Sequence, residues 1–287
     1  MTTRIIFILL YIVLAPFIGA LLEGMDRKIS ARMQRRVGPP IRQPLFDVIK
    51  LFKKQVIVVD RAQSFLLVSY LILTVMTGCM FFAGVDLLMI FFVLTTSAVF
   101  LYFAATVTGS PMSTMGGLRE LVQDMSYEPA VLLVAVGFYL TTGSFNVSDI
   151  INSDVSAIVK MPGFFVAFVF ILTIKMRKSP FDSAQSHHPH QELVKGLTTE
   201  MGAKNLAYFQ ITEWYETILM LAVEALFIIN KNPWSYLAAF IVILATYFLE
   251  ILIDNCSARM KWQDMLKLSW LVTLLAGGVN LMILMLI

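Results

Sequence analysis

Eight apolar runs punctuate the chain, near 5–22, 64–84, 86–107, 127–143, 162–176, 207–229, 234–253 and 266–287. A spanning helix needs ~20 apolar residues, and most of these runs meet that length. The runs at 127–143 and 162–176 are the shortest and extend into polar flanks. One stretch between the runs has a different pattern. Leu45, Val48, Ile49, Phe52 and Val56 recur at helical spacing, while Asp47, Lys50, Lys53 and Lys54 take the other side. That spacing predicts an amphipathic helix at the membrane interface, and a plain polybasic anchor on anionic lipid would share it. The expected fold is all-α: a polytopic membrane protein of about eight transmembrane helices plus an amphipathic interfacial helix, forming one integral membrane domain over residues 1–287.

Composition excludes the soluble alternative. Mean hydropathy is +0.79 and 14% of residues are charged, against ~25% in an ordinary soluble domain. The net charge of +3 is too small to point to nucleic acid, so no nucleic-acid partner is expected. Two cysteines, Cys79 and Cys256, make no disulfide or metal framework.

The placement of the cations sets the expected orientation. Cations at span ends are counted with the adjoining segment. The segments after the first, third, fifth and seventh runs then hold 19 of the 22 lysines and arginines, and the other side holds 3. By the positive-inside rule the first group is cytoplasmic, covering about 23–63, 108–126, 177–206 and 254–265, and both termini lie outside. Residues 1–22 resemble a signal peptide in isolation. The ten cations that follow hold the next segment inside and leave the alternation intact.

Carboxylates occur where lipid is expected. Glu213, Glu216 and Glu224 lie in the sixth run and fall within an arc of about 80° on one helix face. Glu250 and Asp254 sit one turn apart in the seventh, and Glu128 opens the fourth beside Tyr127. A charge at the bilayer centre costs about 2.5–3.5 kcal/mol on insertion scales, so it persists only facing protein or water. Three acids on one face, with no lysine or arginine inside that run, point to proton or cation handling. Pairing with cations from other elements of a packed bundle is the structural alternative. His187, His188 and His190 cluster around Pro189, an arrangement open to metal binding, a hydrogen-bonded loop or a partner contact. No phosphate-binding glycine loop, nucleophile triad or HExxH pattern is present.

The three longer cytoplasmic segments carry motifs in order. The first reads Arg27-Lys28, Met33-Gln34, Arg36, Gly38-Pro39, Gln43-Pro44, Asp47, Lys50-Leu51-Phe52 and Lys54. The second has Gly117-Leu118-Arg119 and Ser126-Tyr127-Glu128. The third has Pro180-Phe181-Asp182, then Gln191-Glu192-Leu193-Val194, Gly196 and Glu200. Together they resemble the membrane subunit of respiratory complex I that lies beneath the quinone site, often called subunit 1 or the H subunit, a family with eight spans. Two departures narrow the resemblance. Only Pro40, Ile41 and Arg42 separate Gly38-Pro39 from Gln43-Pro44, where quinone-linked members carry a longer glycine-containing linker. The run Ser186-His187-His188-Pro189-His190-Gln191-Glu192 replaces their acidic stretch, and is similar to energy-converting, ferredoxin-linked nickel–iron (NiFe) hydrogenases of the Ech and Mbh type.

The resemblance implies a prokaryotic cell-membrane subunit with no cofactor or metal of its own. A NiFe centre and iron–sulfur clusters would sit on partners: hydrogenase large and small subunits, iron–sulfur subunits and antiporter-like membrane subunits, with ferredoxin reached through the complex. Arg32, Arg35, Arg36, Asp182, His187, His188 and His190 would dock the soluble arm. A proton relay would run from Glu192 and Glu200 past Glu128 to Glu213, Glu216 and Glu224. Three other readings stay open: a quinone-site subunit of a complex-I-like dehydrogenase, a stand-alone secondary transporter, and a passive anchor with structural acids.

Overall fold

A computed structural model describes residues 2–55, 60–185 and 195–286, and the regular elements among these are all helices, with no strand. In chain order the helices are α1 (Thr2–Met33), α2 (Gln43–Lys53), α3 (Arg61–Ala83), α4 (Leu87–Thr106), α5 (Pro111–Thr142), the short α6 (Val147–Ile151) and α7 (Ala157–Lys160), and α8 (Pro162–Lys175). A 3₁₀ turn at Gly196–Thr198 leads to α9 (Ala203–Leu226) and α10 (Trp234–Cys256). A last rod is built from α11 (Trp262–Val272), a π-helical stretch at Thr273–Gly278 and α12 (Val279–Leu286). Six of these segments are long and apolar enough to cross a membrane: α1, α3, α4, α5, α10 and the last rod.

Two helices fall short of that standard for physical reasons. Helix α8 is apolar but has only 14 residues. Helix α9 has 24 but carries the three carboxylates. It can be polar because it lies inside the bundle, where Phe209, Trp214, Leu219 and Val223 are buried. Lipid-facing hydrophobicity is not required of a helix that sees little lipid. Around α9 the main core gathers from α4, α5 and α8, with Phe138, Phe165 and Phe168 closing on Phe227.

Two elements differ from the sequence expectation in extent. Helix α1 does not stop near residue 22 but runs on to Met33. Its extension holds itself together by pairs one turn apart, Arg27 with Glu23 and Ser30 with Asp26. Helix α5 starts at Pro111, so most of the segment expected between spans is the first half of a 32-residue helix.

Helix α2 forms where the amphipathic pattern puts it, with Pro44 in its first turn. Its packed face is rotated slightly from the expected stripe. Leu45, Val48 and Leu51 press on Ala207, Ile211 and Trp214 of α9 and Ala20 of α1, and Phe52 meets Tyr208 edge-on. Phe46 and Ile49 face outward. Val56 lies outside the described residues.

Candidate functional site: a buried charge network

The end of α8 positions the site. Arg177 adopts φ 50°, in the left-handed region usually left to glycine. Its N–H donates to Ile174 O at 3.0 Å, and the N–H of Lys178 donates to Thr173 O at 3.1 Å. The two bonds close the helix as a Schellman cap. This turn separates three cations, Lys175, Arg177 and Lys178, and sends each to a different set of acids.

Lys175 points to α9 and α5. Its Nζ is 2.5 Å from Glu216 Oε1 and 3.6 Å from Asp124 Oδ1. Tyr70 of α3 donates to the other Glu216 oxygen at 3.2 Å, and Tyr127 donates to Asp124. Arg177 joins Glu120 of α5 to Glu213 of α9, donating to Glu120 Oε1 from Nε at 3.0 Å and from Nη2 at 2.6 Å. Burial opposes the Arg177 charge more than any single neighbour favours it, but Glu120, Tyr70 and Glu216 together outweigh that effect, and the net direction of its pKa is upward. Lys178 reaches Asp26 of α1 and lies 3.7 Å from Asp254 of α10. Asp254 is fixed from behind by the Ser179 N–H at 2.9 Å.

Among the described residues, three cations therefore face six carboxylates. The network borders a cavity of about 410 Å³ between α1, α9, α10 and the end of α8. Ten of its 21 lining residues carry charged side chains, among them Glu23, Arg27, Glu213 and Asp254. Glu213 is the acid of α9 that opens to this space, with its side chain 30% exposed, while Glu216 is closed in.

Above the network lie two acids of another kind. Glu224 of α9 and Glu250 of α10 are both 0% exposed, and none of their four carboxyl oxygens has a hydrogen-bond partner among the described residues. Thr246 lies within reach of Glu224, but its hydroxyl donates to the carbonyls of Val242 and Ile243. Glu250 feels the charges of Lys178, Glu224 and Asp254, so it stands electrostatically between the network and the upper acid.

A family model described as NADH dehydrogenase matches residues 5–285. The chain belongs to that family. The H subunit of NADH-quinone oxidoreductase from Rhodospirillum rubrum is 26% identical, covering 91% of this chain and 87% of its own. Hydrogenase-4 component C of Escherichia coli is 27% identical, covering 93% and 92%. A solved structure titled as the membrane-bound sulfane sulfur reductase, an archaeal respiratory membrane complex, contains a chain that overlays with a TM-score of 0.80 at 21% identity, covering 98% of this chain and 99% of that one. This chain is thus a membrane subunit of a complex-I-like or hydrogenase-type respiratory complex.

Within that NADH dehydrogenase fold the sequence-derived residues separate into groups. Glu213 and Glu216 join the network and Glu224 lies beyond it. Glu128 is half-buried on α5, beside a cavity of about 20 Å³ that it shares with Tyr127 and Lys175. Glu200 is half-buried in the turn before α9. Arg32, Arg35 and Arg36 are exposed at the end of α1 and just beyond it. Asp182 is buried and turned inward, its Oδ1 3.4 Å from Arg259 Nε. Glu192, His187, His188 and His190 lie outside the described residues.

The sequence leaves pairing with cations of other elements open, and for Glu213 and Glu216 the structure shows it. Along the chain Lys175, Arg177 and Lys178 speak only to orientation, and no pattern ties them to α9. A usable signal was there: three cations in four residues at the end of an apolar run, where a helix would carry them into the bundle.

Proposed function

We propose that this chain is the membrane subunit of an energy-converting, ferredoxin-dependent NiFe hydrogenase. It would dock the soluble redox arm and couple hydrogen evolution to proton or sodium translocation through its intramembrane carboxylates. The network carries the reading. Among the described residues six carboxylates outnumber the three cations they face, an excess that protons or further cations would meet. Such a site exchanges charge when its surroundings shift. The short Pro40-Ile41-Arg42 linker and the histidine-rich segment favour the hydrogenase acceptor over quinone.

Eight crossings with both termini outside fit this role. The 19-to-3 division of cations supports them. So does the burial of α9, which explains why a crossing helix can score as polar. The NiFe centre and iron–sulfur clusters belong to the partner subunits in this reading, and this chain supplies none. Exposed Arg32, Arg35 and Arg36 form its docking face, joined by His187, His188 and His190, while Asp182, buried beside Arg259, is withdrawn from it. Glu213 takes the first proton, because it faces both the cavity and Arg177.

One observation favours the quinone-site alternative. A cavity of about 410 Å³ is in the size range of small-molecule sites. Its many ionisable walls suit water and protons better than an apolar ring.

The test is purification of the tagged chain in mild detergent with its partners, followed by metal analysis, a ferredoxin-driven hydrogen-evolution assay and a search for bound quinone. Nickel and iron with hydrogen evolution support the proposal, whereas stoichiometric quinone replaces it with the dehydrogenase reading. In the same preparation Glu213→Gln removes the titration and keeps the shape. Coupled transport should fall at least tenfold while the complex still assembles, and wild-type coupling would remove Glu213 from the route.

A further inference from the structure

Helix α2 is held to the protein on one side and bare on the other. Its bare side is divided lengthwise. Phe46, Ile49 and Phe52 are exposed by 57%, 50% and 38%. Lys50, Lys53 and Lys54 are exposed as well. Helical geometry puts Phe46, Ile49 and Lys53 in one row, at spacings of three and four, and Lys50 and Lys54 in the next. The outward surface thus passes from apolar to basic around the helix. That order fits a surface with hydrocarbon on one flank and phosphate on the other.

The inward side of α2 leads to the charge network. Asp47 Oδ2 accepts from Arg27 of α1 at 3.0 Å, and Arg27 also pairs with Glu23. The second Glu23 oxygen accepts from Trp214 Nε1 at 2.6 Å. Trp214 adjoins Glu213 in α9 and packs on Val48 of α2. A load on the outer face of α2 therefore reaches α9 through a continuous line of contacts.

We propose that the outward face of α2 is a binding site for anionic phospholipid, and that lipid bound there holds α2, and through Asp47, Arg27, Glu23 and Trp214 the neighbouring stretch of α9, in place. The occupant follows from charge and shape together. Asp47 shares the row of Lys50 and Lys54 but is engaged by Arg27 and Gln43, and the exposed apolar side chains of Phe46 and Ile49 beside the lysines need a greasy partner. A zwitterionic lipid would satisfy only the apolar half. The inference rests on this chain being a membrane subunit. It does not depend on which acceptor the complex uses.

The experiment uses the assembled complex, delipidated and placed in nanodiscs of phosphatidylcholine alone or with one third phosphatidylglycerol. Amine-reactive labelling of Lys50, Lys53 and Lys54 is read by mass spectrometry, and coupled activity is measured alongside. Phosphatidylglycerol should slow labelling roughly tenfold, with the protection lost at high salt, and should raise coupled activity. The variant K50Q/K53Q/K54Q should fold and assemble, and its activity should no longer respond to phosphatidylglycerol. Equal labelling in both nanodiscs overturns the proposal. Protection that is already complete in phosphatidylcholine also overturns it, because a partner protein would then cover the face. If the variant keeps the full lipid response, the lysines are not the site. Failure of the hydrogenase assay would leave these readouts unaffected, so the two proposals fail separately.

Discussion

Lys175 Nζ lies 2.5 Å from Glu216 Oε1, and both side chains are more than nine-tenths buried. The lysine ends α8, while the glutamate sits mid-way along α9 and receives a second bond from Tyr70. Removing one partner of such a pair strands a largely buried charge, at a cost of about 3–5 kcal/mol. Removing both costs far less. Lys175→Met and Glu216→Gln should each lower the thermal midpoint of the purified complex markedly, and the double variant should recover much of the loss. Additive losses would show that the two groups do not depend on each other.

This pair also marks how far the sequence is legible. Apolar runs place the helices because lipid imposes hydrophobicity on whatever faces it. The amphipathic spacing at Leu45 and Val48 places α2 for the same reason. Which cation meets which acid has no counterpart in the pattern, since Lys175 and Glu216 belong to different helices and their contact depends on how α8 packs on α9. The ends of α1 and α5 were hidden by a related limit: a helix can leave the membrane without stopping, and polar residues such as those at 23–33 do not break it.

Arg177 allows conformation and charge to be separated. A non-glycine residue in the left-handed region costs about 1 kcal/mol or more. Arg177→Gly relieves that strain and keeps the turn, but leaves buried Glu120 without its cation. Destabilisation is expected to win by about 2 kcal/mol or more, since a buried unpaired carboxylate outweighs the relieved strain. Arg177→Lys keeps the charge, loses the two-pronged grip on Glu120, and should fall between. If the glycine variant melts above the wild type, the ion pairs are not what holds this turn.

On the opposite surface, Asp154 accepts from Lys231 Nζ at 2.6 Å. This bond, and then the charge of Lys231, holds the Asp154 carboxyl below its ordinary value. A depressed carboxylate contributes fully above its unfolded pKa, near 3.8, and the contribution is lost as pH falls through the lower folded value. The link between the loop at Asp154 and the one at Lys231 should therefore be unchanged across neutral pH and open only in stronger acid. Amide exchange at residues 153–156 and 230–232 measures this. Exchange that quickens between pH 7 and 5 would assign the link to another group.

Glu224 and Glu250 present the reverse of the Lys175 pair. Their carboxyl oxygens are buried without donors among the described residues, so as structural elements they are a burden. A buried polar group left unsatisfied costs about 1–3 kcal/mol. Substitution by an apolar residue of similar size should therefore stabilise the bundle. Glu224→Leu and Glu250→Met are expected to raise the thermal midpoint, each by an amount worth about 1 kcal/mol or more, and to reduce coupled ion movement severalfold if the acids serve transport. A passive anchor with structural acids requires the opposite, a lower midpoint with coupling intact. Measuring both quantities on the same variants separates the two roles, because only a residue kept for function improves stability when it is lost.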